Sequence, residues 1–416
     1  MVVFSLTSAN NRNKRRVSFN YYMMKKTLFI LLAILLAGCS DIVVKTITVT
    51  NPSDDFREHE AVSLPLSDLH ETIDNFSNLI LKDEEGNELP YQLMGYPEAS
   101  LLFFATTKAH FSSKYTLVYG KPKEVSPLVD ARFVPERKDD FAWENNLAAY
   151  RMYGPALAPE NPSNGVDLWL KCTDELIVDS FYYREHELHL PYHVNYGKGL
   201  DCYKVAHTPG CGGWFPMVGG KPQIGCQYDR WEILDKGPLA VRFRLYYDHY
   251  PLADLDSAAR LCRSTEPVEG EVKAVVTITC MAYQQLCKAE VSVAYPEDLE
   301  LGAGIFMHTA TSNPEIPLAG APQLCVNGGY IAYGENAVSD AGEAQGRNYA
   351  AVVMPEMNRC YVEDNTMIAV SEEKNFMTYY FGGGWSEWNY PEDSDWFSKV
   401  GYNVRLVREP SVITIE

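Results

Sequence analysis

Beyond Cys39 the chain is written mostly in short runs that alternate apolar and polar residues and stop at Gly, Pro, Asn or Asp. "KTITVTNP" (45–52) alternates and ends in a turn, "AVSLPL" (61–66) follows, and "LILKDEEGNELPYQL" (79–93) reads as a hairpin about Glu85-Gly86-Asn87. "LLFFATTKAHF" and "KYTLVYG" complete a set whose spacing predicts an immunoglobulin-sized β-sandwich over residues 39–127. Lys121–Pro127, "KPKEVSP", has the composition of a linker. Residues 128–416 are again strand-rich. "GVDLWLKC", "LAVRFRLYYDHY", "VKAVVTITCMAY", "KAEVSVAY", "YAAVVM" and "FMTYYFGGGW" are β-branched or aromatic runs, so a second, larger two-sheet domain is expected. A helical period is rare; "LADLDSAARLC" (252–262) is a candidate short helix. The fold class expected is all-β.

The N-terminus departs from this pattern. From Met24, "MKKTLFILLAILLAGCS" places two lysines before an apolar run and then Leu36-Ala37-Gly38-Cys39. This pattern predicts a lipoprotein signal peptide over residues 1–38, with Met24 as the true start, cleavage before Cys39 and acylation of its thiol. The run is too short to span a bilayer. The mature chain is then expected in the cell envelope, attached to a membrane through its lipid alone. Removing residues 1–38 takes away six basic and no acidic side chains, moving the net charge from −19 to −25. Such a surface argues against nucleic-acid binding, whose affinity comes from phosphate neutralisation. Any acidic substrate must be met by local cations. The nine remaining cysteines are odd in number, form no CxxC, and read mostly as small buried hydrophobes. No feature reports the oligomeric state.

Several motifs fail on inspection. There is no GxSxG, SxxK or Walker loop. His186-Glu187-Leu188-His189 is one residue short of HExxH and lies in a stretch read as strand and loop; with His193 its histidines read as surface residues rather than metal ligands. Cys202, His207, Cys211 and Cys226 could supply zinc ligands, but lack the paired short spacings of closed zinc sites. The glycines between 197 and 213 recur as in a phosphate loop, without the following helix start that would hold an anion. No cofactor or metal is called for.

Three dense segments remain. "YHVNYGKGLDCYK" (192–204) brings His193, Asn195, Asp201, Tyr203 and Lys204 together. "FVPERKDDFAWENNLAAYRMYGPA" (133–156) carries Arg137, Trp143, Arg151 and Tyr153 among interleaved charges, without strand or helix amphipathicity. "FGGGWSEWNYPEDSDW" (381–396) holds Trp385, Trp388 and Trp396 between glycines and acids, a composition suited to sugar stacking, with at least one of the three expected in the core.

These segments, with "GVDLWLKC" and "TPGCGG", resemble Bacteroidetes domain-of-unknown-function family 4861 over nearly the whole mature chain. The "ERKDDFAWEN" and "GKGLDCYKV" blocks are the specific ones; Pro209 in "TPGCGG" stands where the family pattern has a leucine-containing turn. The resemblance implies a polysaccharide-utilisation lipoprotein like an oligosaccharide dehydratase acting on ulvan fragments. It also implies that residues 128–416 form a β-supersandwich of the kind found in mutarotases and polysaccharide lyases. The expected substrate is then an acidic, uronate-bearing oligosaccharide.

Eliminating water across C4 and C5 of a uronate needs a cation at the carboxylate, a base at the C5 proton and an acid at the departing hydroxyl. Arg137 or Arg151 is assigned to the carboxylate, His193 to the base and Tyr153 to the acid. A tyrosinate base would need a nearby cation to bring its pKa down from about 10. Asp201 and Asn195 would orient His193 or bind hydroxyls, Tyr203 and Lys204 would line the cleft, and Trp143 and Trp385 would stack on sugar. A glycosidase using two carboxylates drawn from Asp139, Asp140, Glu144 and Asp201, a mutarotase-like enzyme, and a non-catalytic glycan-binding lipoprotein are the alternatives.

Overall fold

A computed structural model describes residues 42–252, 271–308 and 322–416. The leader, Cys39 and all but the first residue of the candidate helix 252–262 lie outside these residues.

The protein is all-β in architecture, and nearly every strand expected from alternation is present. Five strands in the order Val412–Ile415, Val43–Thr50, Ser112–Tyr119, Leu79–Lys82, Glu88–Leu89 face a three-stranded sheet of Arg57–Pro65, Ser100–Thr107 and Tyr91–Met94. Alternation decides which side chains go inside. Ile47 and Val49 are buried with Leu64, Leu81, Leu101, Phe103 and Leu117, while the intervening threonines face outward. The expected hairpin forms, with Lys82 opposite Glu88. One strand comes from the far end of the chain: Val412–Ile415 pairs with Thr50–Ile47, so residues beyond 410 close the N-terminal sheet rather than the large domain. Arg57, fully buried, ties this return by donating to Glu60, Ser411 and the carbonyl of Glu409.

The large body is a supersandwich of two layers. One layer is a single eight-stranded antiparallel sheet, ordered 230–236, 240–251, 271–281, 287–294, 376–385, 344–353, 330–338, 323–325. The other is made of two five-stranded sheets. The first runs 199–201, 166–171, 149–152, 140–145, 129–134; the second runs 221–222, 211–218, 300–306, 366–374, 357–363. A lone parallel bridge between Val166 and Gly210 joins them. Gly210 has φ +61°, and a Cβ there would lie 2.2 Å from the carbonyl oxygen of Val166, so only glycine lets the two sheets meet. Phe141, Trp143, Tyr150 and Leu168 from the first small sheet, Trp214 and Ile305 from the second, and Phe243, Ile278 and Phe381 from the large one form one core. Each such side chain contributes roughly 1.5–3 kcal/mol by leaving water.

Two helices were not expected. Asp393–Arg408 buries Trp396, Val400 and Val404 at helical spacing against Tyr349, Ala351 and Val353, behind a capping box of Glu392 and Asp395. Trp396 is therefore core. Val178–Leu188 includes His186 in its last turn and stops at His189, which takes the left-handed conformation (φ 55°). This corrects the reading of that stretch as strand and loop.

Candidate functional site

The first small sheet positions the site. Its inward faces carry Phe141, Trp143, Tyr150, Leu168 and Leu200, so period-two alternation puts Asp140, Glu144, Arg151, Asp167, Lys171 and Asp201 on the outer face. That face is not left to solvent. Helix Val178–Leu188 and the loop after it cover it, with Phe181, Tyr182 and Tyr192 packing on Trp169. Residues 140–145 and 149–152 of segment 133–156 are therefore strands buried on both sides rather than a solvated loop.

Arg151 is the hub. Its Nη2 lies 2.5 Å from Asp167 Oδ2 and 3.0 Å from Asp201 Oδ2, its Nε is 3.7 Å from Asp140 Oδ2, and its Nη1 donates to the Tyr192 hydroxyl at 3.0 Å. The guanidinium also stacks on the rings of Tyr153, Trp169 and Tyr192. All three carboxylates and Arg151 are buried. Three acids thus face one buried cation and the partly exposed Arg137, whose Nη1 is 4.0 Å from Asp140 and whose Nε donates to the same Tyr192 hydroxyl at 3.4 Å.

This imbalance shows in the acidities. Burial pushes Asp140 up to about 6, against the pull of Arg151 and Arg137. Burial, with repulsion from Asp167, also holds Asp201 above the ordinary carboxylate range despite Arg151 and His193. Burial, reinforced by Asp167, raises the Tyr153 phenol well above its usual value, and burial does the same for Tyr182. Both stay protonated, so a tyrosinate base is excluded at Tyr153 while a proton-donating phenol is not. Five buried atoms of the cluster lack a hydrogen-bond partner among the described residues: Arg137 Nη1, Asp140 Oδ2, Arg151 Nε, Asp167 Oδ1 and the Tyr182 hydroxyl. Native cores leave few such groups unpaired, so their grouping here makes this a candidate functional site.

The rim is formed by Arg137, Tyr153 and His193. Arg137 ends a short 3₁₀ turn, and Lys138 and Asp139 follow at φ 52° and 63°, strained for residues with a Cβ. The strain is held from behind. Tyr228 donates to the Asp139 carbonyl at 2.5 Å, and a Cβ on Gly154 would sit 1.9 Å from that same oxygen. His193 Nδ1 is 2.8 Å from the carbonyl oxygen of Asp201, which can only accept. Nδ1 therefore carries the proton, leaving the Nε2 lone pair available in the neutral ring. The Asp201 carboxylate lies 3.7 Å from Nδ1.

The four residues assigned to chemistry are thus brought around shared partners: Tyr192 for the arginines, Asp201 for His193 and Arg151, and Arg151 for Tyr153. The arginines are not equivalent. Arg151 is already matched to carboxylates, whereas Arg137 has 26% of its side chain exposed.

Other expectations change. Trp143 is 1% exposed and stacks on Tyr150, and Trp385 is buried with its indole N–H donated to the carbonyl of Gln345, so neither offers a face to sugar. Tyr203 is buried and its hydroxyl meets the carbonyls of Gly210 and Phe306, a structural tie rather than a cleft wall. Asn195 accepts from the amides of Gly197 and Gly199 and so shapes its own loop. Lys204 stays on the exposed rim, paired with Asp340 at 2.7 Å. Its carbonyl accepts from His308, whose other nitrogen donates to Glu335 at 2.5 Å. Burial works against charge on that ring, but the bond to Glu335, the charge of Glu335 and the bond to the Lys204 carbonyl together outweigh it and raise the imidazole's pKa.

Of the carboxylates weighed for a glycosidase pair, Asp140 and Asp201 share Arg151 while Glu144 lies apart. Glu144 accepts from Lys171 and from the amides of Ile177 and Val178, anchoring the helix start. The zinc alternative also fails on geometry, because Cys226 is disulfide-bonded and Cys211 is packed in the core. Asp167 and Tyr192 were missed as site residues. The signal for Asp167 was the pair Asp167 and Lys171, four apart in a strand otherwise fully apolar, hence on one face with Trp169.

Among curated proteins the chain is similar to "Uncharacterized protein P7" of Formosa agariphila, 25% identical over 418 residues, covering 93% of this chain and 98% of that one. Solved structures with some likeness include a protein of glycosyl hydrolase family 38 from Enterococcus faecalis (TM-score 0.48, 10% identity, 89% of this chain and 47% of that one). An α-mannosidase of the same organism gives a TM-score of 0.43 at 9% identity, covering 90% of this chain and 47% of that one. The chain spans about half the length of these two solved chains. A family model, "Domain of unknown function (DUF4861)", matches residues 49–410, and the chain belongs to that family.

Proposed function

We propose that the protein is a carbohydrate-active lyase of the cell envelope that dehydrates the uronate at the non-reducing end of an acidic oligosaccharide. The observation that carries this reading is the rim: a partly exposed arginine, a histidine whose Nδ1 is tied to the Asp201 carbonyl and a protonated phenol, all set on one buried Arg–carboxylate network. In the step, His193 Nε2 takes the C5 proton, the C4–O bond breaks, and the hydroxyl leaves as water with the proton of Tyr153. The electron pair of the C5–H bond becomes the C4=C5 double bond. Arg137 holds the substrate carboxylate, where charge builds up in the transition state. Asp201 fixes the His193 tautomer, and Arg151 fixes Asp201.

The anchor proposed at Cys39 would hold this chemistry at a membrane surface. Cys39→Ala should release the protein to the soluble fraction; retention on membranes would contradict the anchor. Incubation with a uronate-terminated oligosaccharide tests the reaction itself. The expected result is a product lighter by one water, with the ultraviolet absorbance of a carboxylate conjugated to C4=C5. A product heavier by one water, or two shorter sugars, would overturn the reading in favour of hydrolysis.

A further inference from the structure

Away from the Arg151 network, one groove is lined by the N-terminal sandwich alone and a second by residues of both the sandwich and the large body. Two contiguous grooves of about 560 and 410 Å³ share Phe56 and His59 in their walls. Each volume lies in the range of small-ligand sites, roughly 300–1,000 Å³. Phe56 and Phe111 flank the first groove at 54% and 63% exposure.

The backbone is bent to build this place. In the pairing of Arg57–Pro65 with Ser100–Thr107 the register slips between Arg57 and Glu60, a bulge that takes His59 out of the ladder. His59 has φ 54° and Tyr283 has φ 63°, both strained, and their rings stack at 4.1 Å with an interplanar angle of 16°. Asn146 accepts from the Tyr283 amide and Gln284 donates to the His59 carbonyl, fixing both turns. In the second groove Lys399 sits over the ring of Tyr402 and makes no hydrogen bond or ion pair among the described residues.

We infer that this groove binds an acidic saccharide, with sugar C–H faces against Phe56 and the His59–Tyr283 stack and a uronate carboxylate at Lys399. Glu58 lines the same groove as Lys399, and Asp83–Glu85 line the first groove together with Lys108 and Lys114. The choice of a uronate rests on the groove's own rings and cation, independently of the elimination chemistry.

Calorimetric titration of the mature chain carrying Arg137→Met with tetragalacturonate tests it, since that substitution silences the rim of the other site. The expected result is retained binding that weakens at least about tenfold, or 1.4 kcal/mol, on adding Phe56→Ala or Lys399→Met, with unchanged unfolding midpoints. The carboxyl-reduced tetrasaccharide should bind as weakly as the Lys399→Met chain binds the acid. No binding by the Arg137→Met chain, or binding indifferent to both groove substitutions, overturns the inference. A wild-type chain that performs no elimination yet shows the groove-dependent binding would sink the proposed reaction and leave this site standing.

Discussion

Arg151 and Arg137 share the hydroxyl of Tyr192, yet removing them should have opposite consequences. Arg151→Met strands three buried carboxylates, and breaking a buried ion pair in this way costs about 3–5 kcal/mol. A denaturant titration should show that loss. Arg137→Met removes a partly exposed cation, so the unfolding midpoint should barely move while kcat/KM falls by on the order of a hundredfold. Equal stability losses in the two variants would erase the distinction. Asp140 supplies a pH test. Its carboxyl binds a proton more tightly folded than unfolded, so its stabilising contribution is full below the ordinary value of 3.8 and is lost as pH rises to about 6. Asp140→Asn should therefore be more stable than the wild type above pH 6, by up to about 3 kcal/mol, and similar to it near pH 3.5. A variant less stable than the wild type at pH 8 would contradict the assigned acidity.

At the scale of elements, the site depends on one sheet and the helix lying over it. Glu144 joins them by accepting from Lys171 and from the first amides of helix Val178–Leu188. Glu144→Ala should speed amide hydrogen exchange across residues 177–188 while leaving Val272–Met281 protected; uniform protection would show that the helix is held by its aromatic contacts alone. Strands such as Val272–Met281 were legible because one face is apolar and the other mixed. "DFAWEN" and "AYRM" were not, because the second face is covered by a helix instead of water and its charges are buried in pairs. That helix hid for a related reason. Its buried residues are Val178, Phe181 and Tyr182, too few and too aromatic to stand out from the strands around them. In Asp393–Arg408 the acids before Trp396 and the arginines at the end were a readable cap pattern, masked by the glycine- and tryptophan-rich stretch that precedes it.

For the whole molecule, the all-β class followed from strand alternation and turn spacing, but the closing strand did not. Val412–Ile415 alternates as an ordinary edge strand does, and nothing local says that its partner lies some 360 residues upstream. The candidate site was legible as a set of segments and not as a geometry. Arg137, Arg151, Tyr153, His193 and Asp201 come together because strands 149–152, 166–171 and 199–201 are neighbours, while Trp143 and Trp385 fall inside because strand period turns them inward. The central claim is that His193 and Arg137 do the chemistry on a network that Arg151 holds. The most direct test is the rise of ultraviolet absorbance from a uronate-terminated oligosaccharide, with wild type, His193→Gln and Arg137→Met compared at matched unfolding midpoints. The account predicts a steady rise with the wild type and a loss of at least about a hundredfold in each variant; undiminished rates in folded His193→Gln would contradict it.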